Sequence, residues 1–530
     1  MVAAAVLGML PLAASAQVTW GASANNGYAT GSVEYDGSAE FWEAGTPSIN
    51  NGGDYQLGDA IRGYSYYDLP GTPALIEDLS VGAGVGTQYA TGAYGVATTL
   101  ASHVAQLSVT SLQGYSADFW VYSSTTGQYQ GGATATFTFD GWHSSAYSDS
   151  VLALAQSPSN PAYVDSKYRT ETGVLYPGRS YGLSASANAG AFGISSGNPS
   201  EEVASDAFSY WSITLGGVSN LSTFVPVPST TNWGSSGSWT SGIPNASCAF
   251  AYFPEASSAT TVTVNSTYTV GRLGINSNAA YTFSGSGSID LNCTKAHIDV
   301  IKGNHVISVP VSFSANTTIT VDPNASLRLA SGLSVPAGKT VDIAYGGSLI
   351  ATSVSVTSTG KLDVGDQALV VDYTGSSPVS SIRSLIIGGL NSGTWDGPGI
   401  NSWYAALDAM NRAVGYAEAG TVGITSWRGQ SVDATTIIID LTIMGDANLD
   451  GIVDSADQSI LTANLSGTSK HWYQGDFNYD GVVNSADQSI LSAHLGLSLL
   501  IASVPEPTSF LIVAGAGLLA LRRRAGGRRM

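Results

Sequence analysis

Cysteine is almost missing from this 530-residue chain: Cys248 and Cys293 are its only two. No CxxC spacing can be drawn from them, which sets aside thiol redox chemistry and structural zinc. They leave two readings open, a single disulfide or a pair of buried thiols. Charge is scarce as well, at 11% of residues, and it is one-sided, with 38 acidic against 19 basic side chains and a net charge of −19. Five of the 19 basic residues (Arg522, Arg523, Arg524, Arg528, Arg529) crowd into the last nine positions, so the body is more acidic than the total suggests. Such a surface cannot neutralise phosphates, which excludes nucleic acid as a partner; it suits divalent cations. Long apolar runs are short too. The C-terminal stretch from Phe510 to Leu521 has 12 residues, about 18 Å as a helix against a hydrocarbon core of roughly 30 Å.

What the chain has in quantity is Gly (63 residues), with Ser, Thr and Val throughout and 43% hydrophobic residues. That composition predicts a mainly β, loop-rich protein, and the length leaves room for two or three cores.

The two ends suggest an address. Residues MVAAAVLGMLPLAASAQV form an apolar run closed by Ala14-Ser15-Ala16, a small-residue cleavage site before Gln17. This predicts a signal peptide over 1–16 and export; the alternative, a buried N-terminal helix, is disfavoured by Pro11 and the small residues. At the other end the Arg cluster follows the apolar stretch directly, which fits a cytoplasmic anchor with residues 17–509 outside. Pro505-Glu506-Pro507, a hydrophobic segment and a basic terminus together resemble the PEP-CTERM sorting signal. That resemblance implies a temporary membrane anchor over 501–530, cut by an exosortase-type protease in bacteria that make exopolysaccharide. The protein would then reside at the cell surface or in the extracellular matrix, with exopolysaccharide as a further contact.

The clearest chemistry is a near-duplicate. GDANLDGIVDSADQSILTANL begins at Gly445, and GDFNYDGVVNSADQSILSAHL begins 30 residues later at Gly475. Each copy carries oxygen-bearing side chains at positions 1, 3, 5, 9 and 12 of a loop with Gly at position 6, the pattern by which an EF-hand-type loop wraps a hard cation. The predicted ligands of the first loop are Asp446, Asn448, Asp450, the carbonyl of Ile452 and Asp457, with Asp454 acting directly or through water. Those of the second are Asp476, Asn478, Asp480, the carbonyl of Val482, Asn484 and Asp487. Six or more flexible oxygens favour Ca2+ over Mg2+, so two calcium ions are expected. A helix follows each loop, its apolar stripe read as Ala456, Ile460 and Ala463 with Leu461 and Leu465, and as Ala486, Ile490 and Ala493 with Leu491 and Leu495. The spacing, Asp at position 12 and no helix before either loop resemble a type I dockerin over about 444–497. The resemblance implies calcium-dependent folding and docking onto a cohesin-like or other surface protein through one of two pseudo-symmetric faces. Partner choice would then rest on Ser455-Ala456 with Thr462-Ala463, and on Ser485-Ala486 with Ser492-Ala493. The competing reading is a pair of calcium-stapled units that merely stabilise the C-terminus.

Between the ends, ATATFTF (133–139) and FSYWSITL (208–215) alternate as half-buried strands do, predicting a β-sandwich or jelly roll over 17–222. A Pro/Ser/Thr stretch at 224–237 marks a junction. Beyond it, short Val/Thr/Ile strands with turns DPNAS, YGGS and STGK before Leu327, Leu349 and Leu362, as if successive rungs turned the same corner there, predict a parallel β-solenoid over 223–440, with a second sandwich as the alternative. The segment 232–245 resembles passenger-type β-helix regions of bacterial surface proteins. The segment 393–402, followed by the calcium module at 441–500, resembles an arrangement found in planctomycete-type surface proteins.

No active site is expected. Gly193–Gly197 matches GxSxG, but an all-β context is wrong for a nucleophile elbow, and a chance match is expected in so Gly- and Ser-rich a chain. His297, Asp299 and His305 include metal-binding side chains, but ordinary polar residues of strands describe them better. Trp395, Trp403 and Trp427 could stack on sugars, though a core or turn role fits each better. The sequence therefore predicts a non-enzymatic structural or adhesive protein. The alternatives are a carbohydrate-active enzyme (a glycoside hydrolase or polysaccharide lyase) and a non-catalytic carbohydrate-binding protein.

Overall fold

The computed structural model describes residues 217–499 except 227–229 and 345. Within 18–216 it gives the course of the strands, with side chains described only around 109–115 and 172–181. The signal segment (1–16), Ser195 of the GxSxG match and the sorting segment (501–530) lie outside the described residues. The chain divides into two units between Leu221 and Ser222.

The first unit consists of two antiparallel sheets that face each other. One runs in the order Tyr147–Ala155, Gly131–Asp140, Ser180–Ile194, Tyr94–Val109, Ala24–Tyr35 and Ser38–Ala44, with Val18–Trp20 also on Tyr94–Val109. The other runs Ala162–Leu175, Gln113–Thr126, Val203–Gly216, Ile76–Thr87, Ile61–Tyr67 and Gly53–Leu57. The strands expected at 133–139 and 208–215 fall inside Gly131–Asp140 and Val203–Gly216.

The second unit begins as a parallel β-solenoid of about 6 turns. The inner rungs contribute three short strands each, one to each of three sides, and the terminal ones two; strands of three to seven residues are cut off by turns rich in Gly, Pro, Asn and Ser. Parallel pairing stacks like on like. Leu273, Ile298, Ile319 and Ile343 form one inward ladder, and Leu327, Leu349 and Leu369 another. All seven are buried, and each contributes on the order of 1.5–3 kcal/mol relative to an exposed side chain. Leu362 does not turn the same corner as Leu327 and Leu349; it pairs with Val341 and Ile400 on another side, and Leu369 takes the place expected for it. The turns STGK and PAGK are the true equivalents, since Lys361 N–H donates to Lys339 O at 2.9 Å.

The first rungs close over an aromatic plug. Trp233 stacks on Tyr268, with ring centroids 5.3 Å apart and an interplanar angle of 18°. Trp239 meets Phe224 and Phe253 edge-on at 5.3 and 5.4 Å. Both indole N–H groups find carbonyls, Trp239 Nε1 donating to Trp233 O and Trp233 Nε1 to Pro244 O, so these rings are buried without an orphaned donor. Beside the plug, Cys248 and Cys293 form a disulfide. Gly271 lies against it: a Cβ there would fall 2.5 Å from Cys248 Cα and 2.9 Å from Cys293 Cβ. Of the expected metal-capable residues, His297 and Asp299 share a strand, while His305 lies on another side. His305 Nδ1 accepts from Tyr281 N–H at 3.0 Å and its Nε2 lies 2.6 Å from Lys302 O, which occupies both ring nitrogens.

The stack ends by reversal. After Ala368–Asp372, the helix Val379–Leu390 and the strand Gly399–Asn401, the chain lays down Arg412–Glu418 and Thr436–Ile443 as antiparallel strands on the same side as Ala368–Asp372.

The disulfide closes 45 residues, and in the chain-entropy account such a cross-link contributes about 4 kcal/mol. Replacing both cysteines with serine is expected to lower the melting temperature of the purified chain while leaving its strand circular dichroism at 20 °C unchanged. Calorimetry checks this, and a melt that does not move would show that the plug alone holds the entrance.

Candidate metal centre

The first calcium-type loop follows the solenoid's last strand without a linker: Thr436–Ile443 is succeeded by Met444, Gly445 and then Asp446. The two loops repeat each other closely. Asp457 Oδ1 accepts Ala447 N–H at 2.8 Å and Asn448 N–H at 3.3 Å; Asp487 Oδ1 accepts Phe477 and Asn478 N–H at the same two distances. Asn448 Oδ1 accepts Asp450 N–H at 3.0 Å, as Asn478 Oδ1 does Asp480 N–H. Gly451 and Gly481 turn the loops at φ of 82° and 86°, where a side chain would be strained. Their N–H groups each donate to the position 1 carboxylate at 3.0 Å, on Asp446 Oδ2 and Asp476 Oδ2.

Each loop runs into a helix, Ser455–Asn464 or Ser485–His494, through a capping box. Asp454 and Asn484 accept the Ala456 and Ala486 N–H groups at 2.7 Å, while Asp457 and Asp487 reach back to the Asp454 and Asn484 N–H groups. The position 9 side chains thus cap the helices and at most share in binding an ion. The expected apolar stripes are corrected in part. Leu461 and Leu491 are buried with Val453 and Val483, but Ala456, Ala463, Ala486 and Ala493 face outward, and Leu465 and Leu495 are 47% and 51% exposed. The reason is reciprocal packing. A methyl on Gly445 would come within 3.3 Å of Leu491 Cα and one on Gly475 within 3.0 Å of Leu461 Cα, so each helix is pressed against the other loop by its leucine edge. Short bridges, Ile452 with Ser498 and Thr468 with Val482, repeat the same two-fold relation.

The module is seated on the end of the solenoid, and one apolar core runs through both. The strand Arg412–Glu418 is the seat. Gly415 has no room for a Cβ, which would meet Leu449 Cδ2 at 2.6 Å and Trp472 Nε1 at 2.9 Å. The buried Trp472 donates to Asp446 O at 2.6 Å, and Tyr479 donates to Val414 O at 2.9 Å. Tyr473 donates to Glu418 at 3.3 Å, and Tyr416 Oη lies 3.2 Å from His471 Nδ1. From the helix Val379–Leu390, Arg383 reaches Asp476 Oδ2 at 3.3 Å and Tyr479 O at 2.5 Å. Trp395 is buried near Tyr479, and Trp427 packs on the core, so both serve the fold.

The position 1 carboxylates test whether a cation fits. Asp446 and Asp476 are fully buried, and in each the Oδ1 atom is buried with no hydrogen-bond partner. A buried orphan carboxylate oxygen is costly unless a cation or proton meets it. Burial pushes the Asp446 carboxyl up to about 7, against the opposing hydrogen bond from Thr442, and the Asp476 carboxyl up to about 6, against the pull of Arg383. These two oxygens, with the Asn, Asp and carbonyl oxygens that follow at dockerin-type spacing, suit Ca2+. Among the described residues no three His, Cys, Asp or Glu side chains already converge as a metal cluster. Asn448 and Asp450, bonded to each other at 2.8 Å, would have to turn their oxygens to the ion, as would Asn478 and Asp480.

Residues 444–496 match the dockerin type I domain family. No curated protein matches the chain. Among solved structures, that of TmCBM61 in complex with beta-1,4-galactotriose aligns over 32% of this chain and 90% of its own, at 8% identity and a TM-score of 0.12, a likeness too low to carry an argument.

A calcium ion held at Asp446 and Asp476 would compete there with protons. Because their folded values lie above the ordinary 3.8, the calcium-free fold gains from these groups as pH falls through about 7 and 6, while the calcium-bound fold must give up its ion. The rise in melting temperature produced by calcium over chelator is therefore expected to shrink steadily from pH 7.5 to 5.5. A calcium effect that is constant across that range would remove these carboxylates from the site.

Proposed function

We propose that this is an exported, calcium-binding structural or adhesion protein that attaches to a cohesin-like surface protein through its dockerin domain. The observation that carries the reading is the pair of loops whose position 1 carboxylates each bury an Oδ1 without a hydrogen-bond partner, and whose following helices leave their small polar faces in solvent. Ser455, Ala456, Thr462 and Ala463 are exposed, and so are Ser485, Ala486, Ser492 and Ala493. Small side chains on a rigid helix let a partner's surface approach closely at little entropic cost.

In this reading Asp446, Asn448, Asp450, Ile452 O and Asp457 hold one ion, and Asp476, Asn478, Asp480, Val482 O and Asp487 the other. The ions supply the positive charge that the buried carboxylates call for and fix the angle at which each helix leaves its loop. The solenoid and the sandwich act as scaffold, and we assign the chain no catalytic step. Export, a transient anchor at 501–530 released by an exosortase-type protease, and residence at the cell surface or in an exopolysaccharide matrix complete the proposal on the motifs at the two ends.

Titration of a panel of purified cohesin domains against the full chain is expected to give binding that is lost in chelator. Because two equivalent faces are available, Ala463→Arg or Ala493→Arg alone should leave binding largely intact. The double variant should weaken it roughly tenfold or more, since a bulky charge then obstructs both faces. Binding that ignores both calcium and the double variant would sink the docking reading.

A further inference from the structure

The two loops share their main internal bonds, apart from Asn484 Nδ2, which donates to Val482 O at 3.3 Å where Asp454 has no donor, and they differ in what stands on the position 1 carboxylate. On the first loop, Asp446 Oδ2 receives the neutral hydroxyl of Thr442 as well as Gly451 N–H. On the second, Asp476 Oδ2 receives Gly481 N–H and the guanidinium of Arg383 at 3.3 Å. Arg383 also donates to Tyr479 O within the same loop, and its side chain is only 21% exposed, so the charge is held there and poorly screened. Position 9 adds to the difference: it is Asp454 in the first loop and Asn484 in the second. The first loop thus carries four carboxylates and no cation. The second carries three, one of them already paired with an arginine.

From this we infer that the two calcium sites are unequal and load in order, the first loop before the second, with Arg383 as the residue that weakens the second site while holding it to the solenoid. The inference rests on the calcium reading above and deepens it. Calcium affinity in such loops follows the count of ligand charges and the rigidity of the loop. Arg383 lowers the first quantity at the second site and supplies the second quantity in the absence of metal. An ion entering the second loop must share Asp476 with a fixed positive charge. An ion entering the first loop meets no such charge among the groups bonded to Asp446. A pair of sites that a duplicated sequence makes nearly identical is in this way split into a tight site, which holds the module folded, and a weaker one, which responds over a higher range of calcium.

The test is calorimetric titration of CaCl2 into the metal-stripped full chain, in wild type and four variants, with melting temperature as a second readout. Wild type is expected to bind in two steps separated by roughly tenfold or more in affinity. Asp454→Asn should loosen the tighter step only. Arg383→Gln should tighten the weaker step, by roughly tenfold, and narrow the gap, while Arg383→Lys, which keeps the charge, should preserve it. If Arg383→Gln does not fold, Asn484→Asp raises the second loop's charge away from the solenoid contact and should tighten the weaker step alone. Two equal steps in wild type, an Asp454→Asn effect on the weaker step, or a gap that Arg383→Gln leaves unchanged or widens would each overturn the ordering while leaving calcium binding intact. The same holds for Asn484→Asp leaving the weaker step where it was. No calcium heat and no melting shift in wild type would overturn the calcium reading itself, and this inference with it.

Discussion

A stack of parallel rungs has two open ends, and everything distinctive in the second unit answers that constraint. Each end of a solenoid exposes apolar side chains and the unpaired backbone of a last strand, which invite another chain to add on. The entrance is closed by Trp233, Trp239, Phe224 and Phe253, fixed in place by indole hydrogen bonds and flanked by the Cys248–Cys293 disulfide. The exit is closed twice. Antiparallel strands Thr436–Ile443 and Arg412–Glu418 end the parallel run, and the dockerin domain then covers the strand Arg412–Glu418 with Trp472, Tyr473 and Tyr479.

Closing the exit in this way ties the module's stability to the stack's. Gly415 has lost its side chain's space to Trp472 and Leu449, and Trp472 bonds to the carbonyl of Asp446, so the seat and the first loop are shaped together. A domain joined by a flexible linker could unfold in the absence of calcium without consequence for its neighbour. Here the loop begins three residues after the strand's last residue, and the cores are continuous. Free energy that an ion bound at Asp446 would contribute is therefore available to hold the last rung as well.

Much of this was legible in the residues. The spacing of Asp446, Asn448, Asp450 and Asp457, repeated 30 residues on, fixes the loops by chemistry that few other arrangements satisfy. The short Val/Thr/Ile strands gave the solenoid, because parallel rungs need repeated inward apolar residues and little else. Which corner Leu362 turned was not legible: rungs of a three-sided stack share similar turns, and only pairing with Val341 and Ile400 distinguishes one side from another. The outward turn of Ala456 and Ala463 was hidden for a different reason. Periodicity alone gives an apolar face, but here the burying surface is the other loop, which selects the edge carrying Leu461. The contact of Arg383 with Asp476 spans 93 residues and two kinds of structure, and no local pattern announces it.

That contact also bears on what a duplication can preserve. Two copies of one loop–helix unit, packed about a pseudo-two-fold relation, would present equal sites and equal faces if the module stood alone. Seating the pair on a solenoid end breaks the equivalence, because a surface without two-fold symmetry must meet the copies differently. The internal bonds that both loops make are kept to within 0.2 Å, from 2.9 and 2.7 Å at Ile452 and Val482 to 2.8 and 3.0 Å at Asp454 and Asn484. The asymmetry lies where the scaffold touches the copies, with Thr442 on one first carboxylate, Arg383 on the other and Met410 O near His494 of the second helix, and at position 9, where only Asn484 can donate to the loop carbonyl. The helix faces, which point away from the seat, remain alike in sequence and in exposure. The scaffold thus differentiates the two loops while leaving the two exposed helix faces nearly interchangeable.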